Sequence, residues 1–170
     1  MYTIINKRFP VTIEYYHKLF ELEKAISLYP IVIYLSGGTT MFVKRGRDDV
    51  DAICVEDLFG GHGKVWGRQI LGQDSALIGT LPGFPDDFES GIHFIHETVI
   101  DVGTLVGEHP HEGSEEVYFF IEGTAKMIVD GEETTLMPGD AIITKNKSRH
   151  SIENIGDVPV RIIVIEGGVG

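Results

Sequence analysis

Three histidines and a glutamate in the second half of the chain have the residue types and spacing of a metal site. His109-Pro110-His111 places two imidazoles two residues apart, and side chains at that interval leave the same face of a β-strand. Glu116 follows the turn-like run Glu-Gly-Ser-Glu and is therefore expected to return beside the histidines on the neighbouring strand. His150 opens a later strand candidate. Three neutral imidazoles and one carboxylate suit one divalent transition metal per chain, which can be Mn, Fe, Ni, Cu or Zn.

Short β-strands are the elements that must position these residues. From Ile31 onward, apolar runs alternate with Gly, Pro, Asp and Asn, which is typical of an all-β sandwich or barrel. Asp130-Gly131 predicts a tight hairpin, because both central positions of such a turn have positive φ. Pro82 and Pro85 predict a long loop over residues 81–91. The predicted strands are Ile31–Leu35, Thr40–Lys44, Val65–Leu71, Ile92–Val102, Val117–Ile121, Thr124–Val129, Glu132–Leu136, Ala141–Thr144, Ser148–Glu153 and Val158–Glu166.

One helix is predicted before the strands. Apolar residues step by four and three positions from Tyr15 to Tyr29 and form a single apolar face, and Pro30 ends the pattern. We therefore expect a helix and strand extension over residues 1–45 and a barrel over residues 46–170.

Composition narrows the class of protein. With 170 residues, 42% of them hydrophobic and 24% charged, the chain is expected to form one soluble globular domain. A net charge of −12 argues against nucleic acid and anionic membranes as partners. The first ten residues lack the pattern of a secretory signal, and Cys54 cannot form an internal disulfide, so we predict a cytoplasmic protein with a buried structural thiol.

The segment around the paired histidines resembles the first motif of the cupin superfamily. That motif runs Gly, five residues, His-x-His, three or four residues, Glu, six residues and Gly. Its positions are filled here by Gly103, His109, His111, Glu116 and Gly123.

A second stretch resembles the second cupin motif, which runs Gly, five residues, Pro-x-Gly, two residues, His, three residues and Asn. Gly139, His150 and Asn154 fit at the family intervals. Lys145 and Lys147 stand where the motif has Pro and Gly, which puts the turn before His150 in question, since Gly there usually serves a positive φ.

The resemblance implies a cupin double-stranded β-helix, a jelly-roll barrel that encloses a small cavity. It also implies that His109, His111, Glu116 and His150 hold the metal. Glu115 is the alternative carboxylate, but the six-residue interval to Gly123 favours Glu116.

Two further residues are candidate proton donors in the pocket. His96 shares a strand face with Phe94 and Thr98, and Tyr118 shares one with Glu116. The alternatives are a core histidine with an ordinary hydrogen bond and a barrel tyrosine whose hydroxyl is satisfied by a neighbour. His62 lies among glycines and is expected in a turn rather than at the metal.

Function is less determined than fold, because cupins resemble one another across many activities. The first hypothesis is a metal-dependent enzyme of dioxygenase, oxidase or decarboxylase type that acts on a small polar metabolite. The alternative is a non-catalytic module that binds or senses a metal and a small molecule. A sugar isomerase or epimerase ranks third, since epimerases of this family often lack the ligand set.

A homodimer is also expected. Val117, Phe119 and Ile121 form an apolar row opposite the predicted barrel lining, and Ile163 and Ile165 repeat the pattern on the last strand. An exposed apolar patch of that size is unusual for a monomer. The alternative is that the N-terminal extension folds back over both rows.

Overall fold

The computed structural model describes residues 42–73, 83–84 and 87–170. These residues belong to a compact unit that runs from Met41 to Gly170. The predicted helix, the strand Ile31–Leu35 and the start of the strand Thr40–Lys44 lie outside the described residues. Residues 42–44 are irregular, so the prediction of a strand is wrong there. The boundary between an extension and a barrel at residue 45 stays a prediction.

The described residues form two antiparallel β-sheets, which confirms the predicted all-β fold of jelly-roll kind. The strands are β1 (Ile53–Glu56), β2 (Lys64–Gly72), β3 (Ile92–Ile100), β4 (Leu105–Pro110), β5 (Ser114–Glu122), β6 (Ala125–Val129), β7 (Glu132–Leu136), β8 (Ala141–Thr144), β9 (Arg149–Asn154) and β10 (Val160–Gly168). The larger sheet has the strand order β1-β2-β3-β10-β5-β8, and the smaller has the order β4-β9-β6-β7.

Alternation along the strands separates the core from the outer face of the larger sheet. On β5, Tyr118 and Phe120 are buried, whereas the side chain of Phe119 between them is exposed. On β10, Ile162 and Val164 are buried in the same way. This two-residue period places one face of each strand in the core and confirms the predicted outer apolar row.

Positive φ occurs at the Asp130-Gly131 hairpin, as its sequence predicts, and also at Lys147, although the residue there is not Gly. Asp130 and Gly131 have φ of 49° and 86°, which is the geometry of the tight hairpin between β6 and β7. Lys147 has φ of 70° and therefore occupies the left-handed region where the resembled motif has Gly.

Of strand β4, only the end around His109 and Pro110 is predicted, because Gly107 interrupts the apolar pattern of the preceding residues. The strand lies at the edge of the smaller sheet, where the missing N–H of Pro110 leaves no ladder bond unmade. The following strand, β5, belongs to the larger sheet. The expectation that Glu116 returns on a neighbouring strand is therefore wrong: the turn at Glu112-Gly113 carries the chain across to the facing sheet.

Ion pairs attach the segment before β1 to the residues that precede β3 and to β3 itself. The side chains of Arg45 and Asp87 pair and are both nearly inaccessible. Glu97, buried on the outer side of β3, lies 2.9 Å from Arg47 Nε and 2.7 Å from Arg68 Nη1. In the described part of the chain, no helix has the length and apolar character needed to cross a membrane.

Candidate metal centre

Both sheets contribute to the cluster that the sequence predicts. His109 and His150 pair in the register of β4 with β9, and Glu116 projects from β5 of the facing sheet. His111 lies one residue beyond β4, so the prediction that it shares a strand with His109 is wrong. Backbone hydrogen bonds to Lys147 and Ser148 nevertheless hold it beside the other ligands. Each of the four residues offers one ligand atom, and all four atoms lie within 4.8 Å of one another.

The ligand atoms have the spacing of donors around one ion. Glu116 Oε2 lies 3.2 Å from His111 Nε2 and 3.4 Å from His150 Nε2. His150 Nε2 lies 3.0 Å from His109 Nε2. Donors bound to one metal at about 2.1 Å, with angles between about 90° and 109°, lie about 3.0 to 3.4 Å apart. These three separations therefore match those of donors around a single first-row metal ion.

The second ring nitrogen of each histidine has its own partner. His109 Nδ1 donates to the carbonyl oxygen of Gly107 at 3.0 Å, and His111 Nδ1 lies 3.4 Å from Glu166 Oε2. His150 Nδ1 forms a short hydrogen bond with Thr144 Oγ1. Because a carbonyl oxygen only accepts, His109 carries its proton on Nδ1 and turns the lone pair of Nε2 toward the cluster. Such contacts orient the imidazoles of metal sites.

Two buried atoms of the cluster face each other without a satisfactory hydrogen bond within the described structure. His111 Nε2 and Glu116 Oε2 lie 3.2 Å apart, but their contact lacks hydrogen-bond geometry, and neither atom has another hydrogen-bond partner. Buried polar atoms without partners are rare in folded proteins because the loss of hydration is uncompensated. A cation bound between the two atoms satisfies both, so the residues present fit a metal ion.

Burial and the neighbouring charges shift the pKa values of the cluster residues. Burial works against protonation of His111, but the carboxylates of Glu116 and Glu166 beside its ring outweigh it and raise the pKa of His111 to about 9. Burial raises the pKa of Glu116 and lowers the pKa of His150 and of His109. Without a metal, the cluster therefore holds a proton on His111 at neutral pH, and a bound cation replaces that proton.

A cavity of about 280 Å³ adjoins the cluster, and both residues predicted for proton transfer line it. Tyr118 Oη lies 3.2 Å from His150 Nε2. His96 Nδ1 lies 2.9 Å from Thr98 Oγ1, and burial lowers the pKa of His96 to about 4. The imidazole of His96 is therefore neutral at physiological pH.

Glu166 is a site residue that sequence reasoning missed. It faces Glu116 across the pairing of β10 with β5 and lines the cavity. Its Oε1 lies 3.1 Å from His93 Nδ1, while its Oε2 approaches His111. The inward parity of Val160, Ile162 and Val164 continues to Glu166, so the signal is present in the last strand.

Phe59 is the second residue that sequence reasoning missed. Its ring stacks on His109, with centroids 4.0 Å apart and an interplanar angle of 21°. The backbone of Phe59 has φ of 53°, which is unusual for a bulky residue. Glycine allows the close approach to β4, since a Cβ on Gly107 would lie 2.1 Å from the carbonyl oxygen of Phe59. No local pattern in residues 57–63 indicates this contact with a strand more than 40 positions later.

The positions of three other residues in the structure give the outcome of the predictions made for them. His62 pairs with Leu105 in an isolated bridge and is not part of the ligand group. Glu115 lies in β5 rather than in a turn, and Glu116 is the carboxylate that joins the cluster. Cys54 is only partly buried, because β1 lies at the edge of the larger sheet, so the prediction of a buried thiol is wrong.

Comparisons with known proteins agree with this geometry. A family model of the cupin domain matches residues 96–166. An uncharacterized protein of Methanocaldococcus jannaschii is 35% identical over 96 residues, which are 56% of this chain and 76% of that protein.

Two further relatives carry names that refer to a ligand or a pathway. The tetracenomycin polyketide synthase protein TcmJ of Streptomyces glaucescens is 36% identical over 70 residues, 41% of this chain and 47% of that protein. The oxalate-binding protein of Thermotoga maritima is 32% identical over 63 residues, 37% of this chain and 52% of that protein. The chain thus spans about half the length of these two relatives.

Solved structures share the fold. A predicted oxalate decarboxylase from Thermotoga maritima superposes with a TM-score of 0.61 at 22% identity, over 75% of this chain and 100% of that one. KdgF from Halomonas sp. superposes with a TM-score of 0.55 at 14% identity, over 78% of this chain and 96% of that one.

Proposed function

The chain belongs to the cupin superfamily, and from that premise we propose that it is a metal-dependent enzyme of dioxygenase, oxidase or decarboxylase type acting on a small metabolite. One observation carries the proposal. Three imidazole nitrogens and a carboxylate oxygen converge, and three of the four residues line a cavity with room for a ligand beside them.

The donor set supports a reactive rather than a purely structural metal. Structural zinc sites usually close the ion with four ligands and favour sulfur, whereas this cluster has nitrogen and oxygen donors only and adjoins a cavity. Imidazole and carboxylate together suit Mn, Fe, Ni, Cu or Zn. A metal held there supplies Lewis acidity or redox chemistry to a substrate oxygen.

The residues of the cavity have separable tasks in this proposal. His109, His111, Glu116 and His150 hold the metal. Tyr118, whose hydroxyl reaches His150, is positioned to donate a proton at the metal end of the cavity. His96 lies farther along the wall, where its pairing with Thr98 and its lowered pKa make it the weaker candidate for proton transfer.

A non-catalytic binding module is the second candidate. The name of the Thermotoga maritima oxalate-binding protein favours it, as does the pairing of His96 with Thr98, which satisfies that imidazole nitrogen without a substrate. The two candidates share the metal and the cavity and differ in whether the ligand leaves the site chemically changed.

We also propose a cytoplasmic homodimer that packs through the outer face of the larger sheet. Phe119 and Ile143 are 45% and 44% exposed on adjacent strands, and the partly exposed Val117 and Ile163 adjoin them in the sheet register. Burial of such a row between two copies removes apolar surface from water. Light scattering tests this proposal: Phe119→Glu should give a monomer, and a monomeric wild type would contradict it.

The enzymatic proposal is tested with protein purified without a polyhistidine tag and loaded in turn with each candidate metal. A metabolite library is screened by thermal shift, and mass spectrometry then follows each bound compound. We expect a compound that is consumed by the metal-loaded protein and not by the His150→Ala variant. Bound compounds that return unchanged with every metal would favour the binding module instead.

A further inference from the structure

We propose that the ligand of this site joins an oxygen-chelating head to an apolar body of several carbon atoms, and that the inner part of the cavity receives the body. The inference rests on the metal centre proposed above and names the substrate class. It replaces the expectation of a wholly polar metabolite. The observations that carry it are the extent of the cavity and the chemistry of its walls.

The cavity extends well past the metal ligands. Along β10 its lining begins at Glu166, beside the cluster, and continues through Val164 to Ile162. At about 3.3 Å per residue, the four steps from Glu166 to Ile162 cover about 13 Å. A two-carbon dicarboxylate such as oxalate, held at the cluster, would leave this inner part without a partner.

Apolar side chains from both sheets wall the inner part. Ile162 and Val164 come from the larger sheet, and Val106 and Ile152 come from the smaller one. All four are at most 4% exposed. Water in such a space finds few hydrogen-bond partners, so its replacement by carbon is favourable.

The two polar residues of the inner wall do not call for a polar ligand. His96 and Thr98 project from β3, and their side chains lie 2.9 Å apart in a hydrogen bond. Both are 7% exposed. An apolar body placed against them therefore breaks no hydrogen bond between them and leaves neither of these two atoms without a partner. Polar recognition is thus concentrated at the metal end.

A series of hydroxamates with one chelating head and different tails tests the inference. Acetohydroxamate, butyrohydroxamate, hexanohydroxamate and octanohydroxamate are titrated into nickel-loaded protein by calorimetry. We expect affinity to rise about three- to fourfold per methylene until the cavity is filled. Nickel-free protein and the His150→Ala variant are the controls for the head, and neither should bind acetohydroxamate.

A matched pair of substitutions locates the tail. Val106→Thr keeps the shape of the inner wall and adds a hydroxyl. It should reduce the gain in affinity from acetohydroxamate to octanohydroxamate about threefold or more and leave the affinity for acetohydroxamate unchanged. Val99→Thr makes the same change on the outer side of β3 and should leave the whole series unchanged.

The outcomes separate this inference from the proposed function. Metal-dependent binding of acetohydroxamate with flat or falling affinity along the series would overturn the apolar body and leave the metal centre intact. A protein that takes up no nickel and binds no hydroxamate would overturn the metal centre and, with it, the inference. The wild-type series decides the question even if Val106→Thr does not fold.

Discussion

Replacing His96 should make the protein less sensitive to acid. The side chain is buried, and burial lowers its pKa from 6.5 to about 4. Between these two values the unfolded chain binds a proton that the folded chain does not. The folded-state pKa is depressed, so the stability that this residue contributes is present above pH 6.5 and is lost as the pH falls toward 4.

The expected loss follows from the two pKa values. Each unit of difference corresponds to about 1.4 kcal/mol once the pH is below both values. From pH 7.5 to pH 5, wild type should lose about 2 kcal/mol of unfolding free energy relative to His96→Gln, and about 3 kcal/mol by pH 4. Other titrating groups act on both proteins equally and cancel in the difference.

Urea denaturation of metal-free wild type and His96→Gln at a series of pH values measures this difference. Metal-free protein is required because acid also removes metal from the ligands. His62→Gln, a change at a histidine that lies outside both the cavity lining and the ligand group, is the matched control. If the stabilities of wild type and His96→Gln fall in parallel from pH 7.5 to pH 5, His96 is not buried as a neutral group and the reasoning is refuted.

Three further predictions concern the metal ligands and their supports. Glu166→Ala should weaken metal binding about 10- to 100-fold, because Glu166 orients His111. Glu166→Gln retains an acceptor oxygen and should recover part of the lost affinity. A competition assay with a chelating dye measures the metal affinity of both variants. Metal uptake at pH 7.5 should release about one proton, because His111 has a pKa raised to about 9 and must lose its proton to bind the metal. Calorimetry in buffers of different ionisation enthalpy counts the released protons, and a count of zero would place the proton elsewhere. Lys147→Gly should raise the free energy of unfolding by up to about 1 kcal/mol, because Lys147 has positive φ. Lys145→Gly in the same turn should not raise it, and a Lys147→Gly protein less stable than wild type would contradict this account of the turn.

Three members of the cluster could be predicted because their spacing is local: His109, His111 and Glu116 lie within eight residues. His150 lies much farther along the chain and was predictable from its place in the resembled second motif; in the structure it pairs with His109 between β4 and β9. The hairpin at Asp130-Gly131 was predictable from local sequence, since the dipeptide itself favours the required φ values.

The remainder of the site depends on contacts between distant segments. Phe59 reaches His109 only because glycines allow its loop to lie against β4, and the sequence around residue 59 carries no sign of that strand. Strand β4 itself is short and holds Gly107 and Pro110, which weaken its pattern. The crossing from β4 to the facing sheet depends on how the two sheets pack, and strand alternation does not contain that information.

The metal content of the purified protein tests the central claim most directly. Elemental analysis of untagged protein, with His150→Ala purified in parallel, should find close to one divalent transition metal per wild-type chain and much less in the variant. A wild-type protein that carries no metal, and takes up none from solutions of manganese, iron, nickel, copper or zinc, would contradict the account.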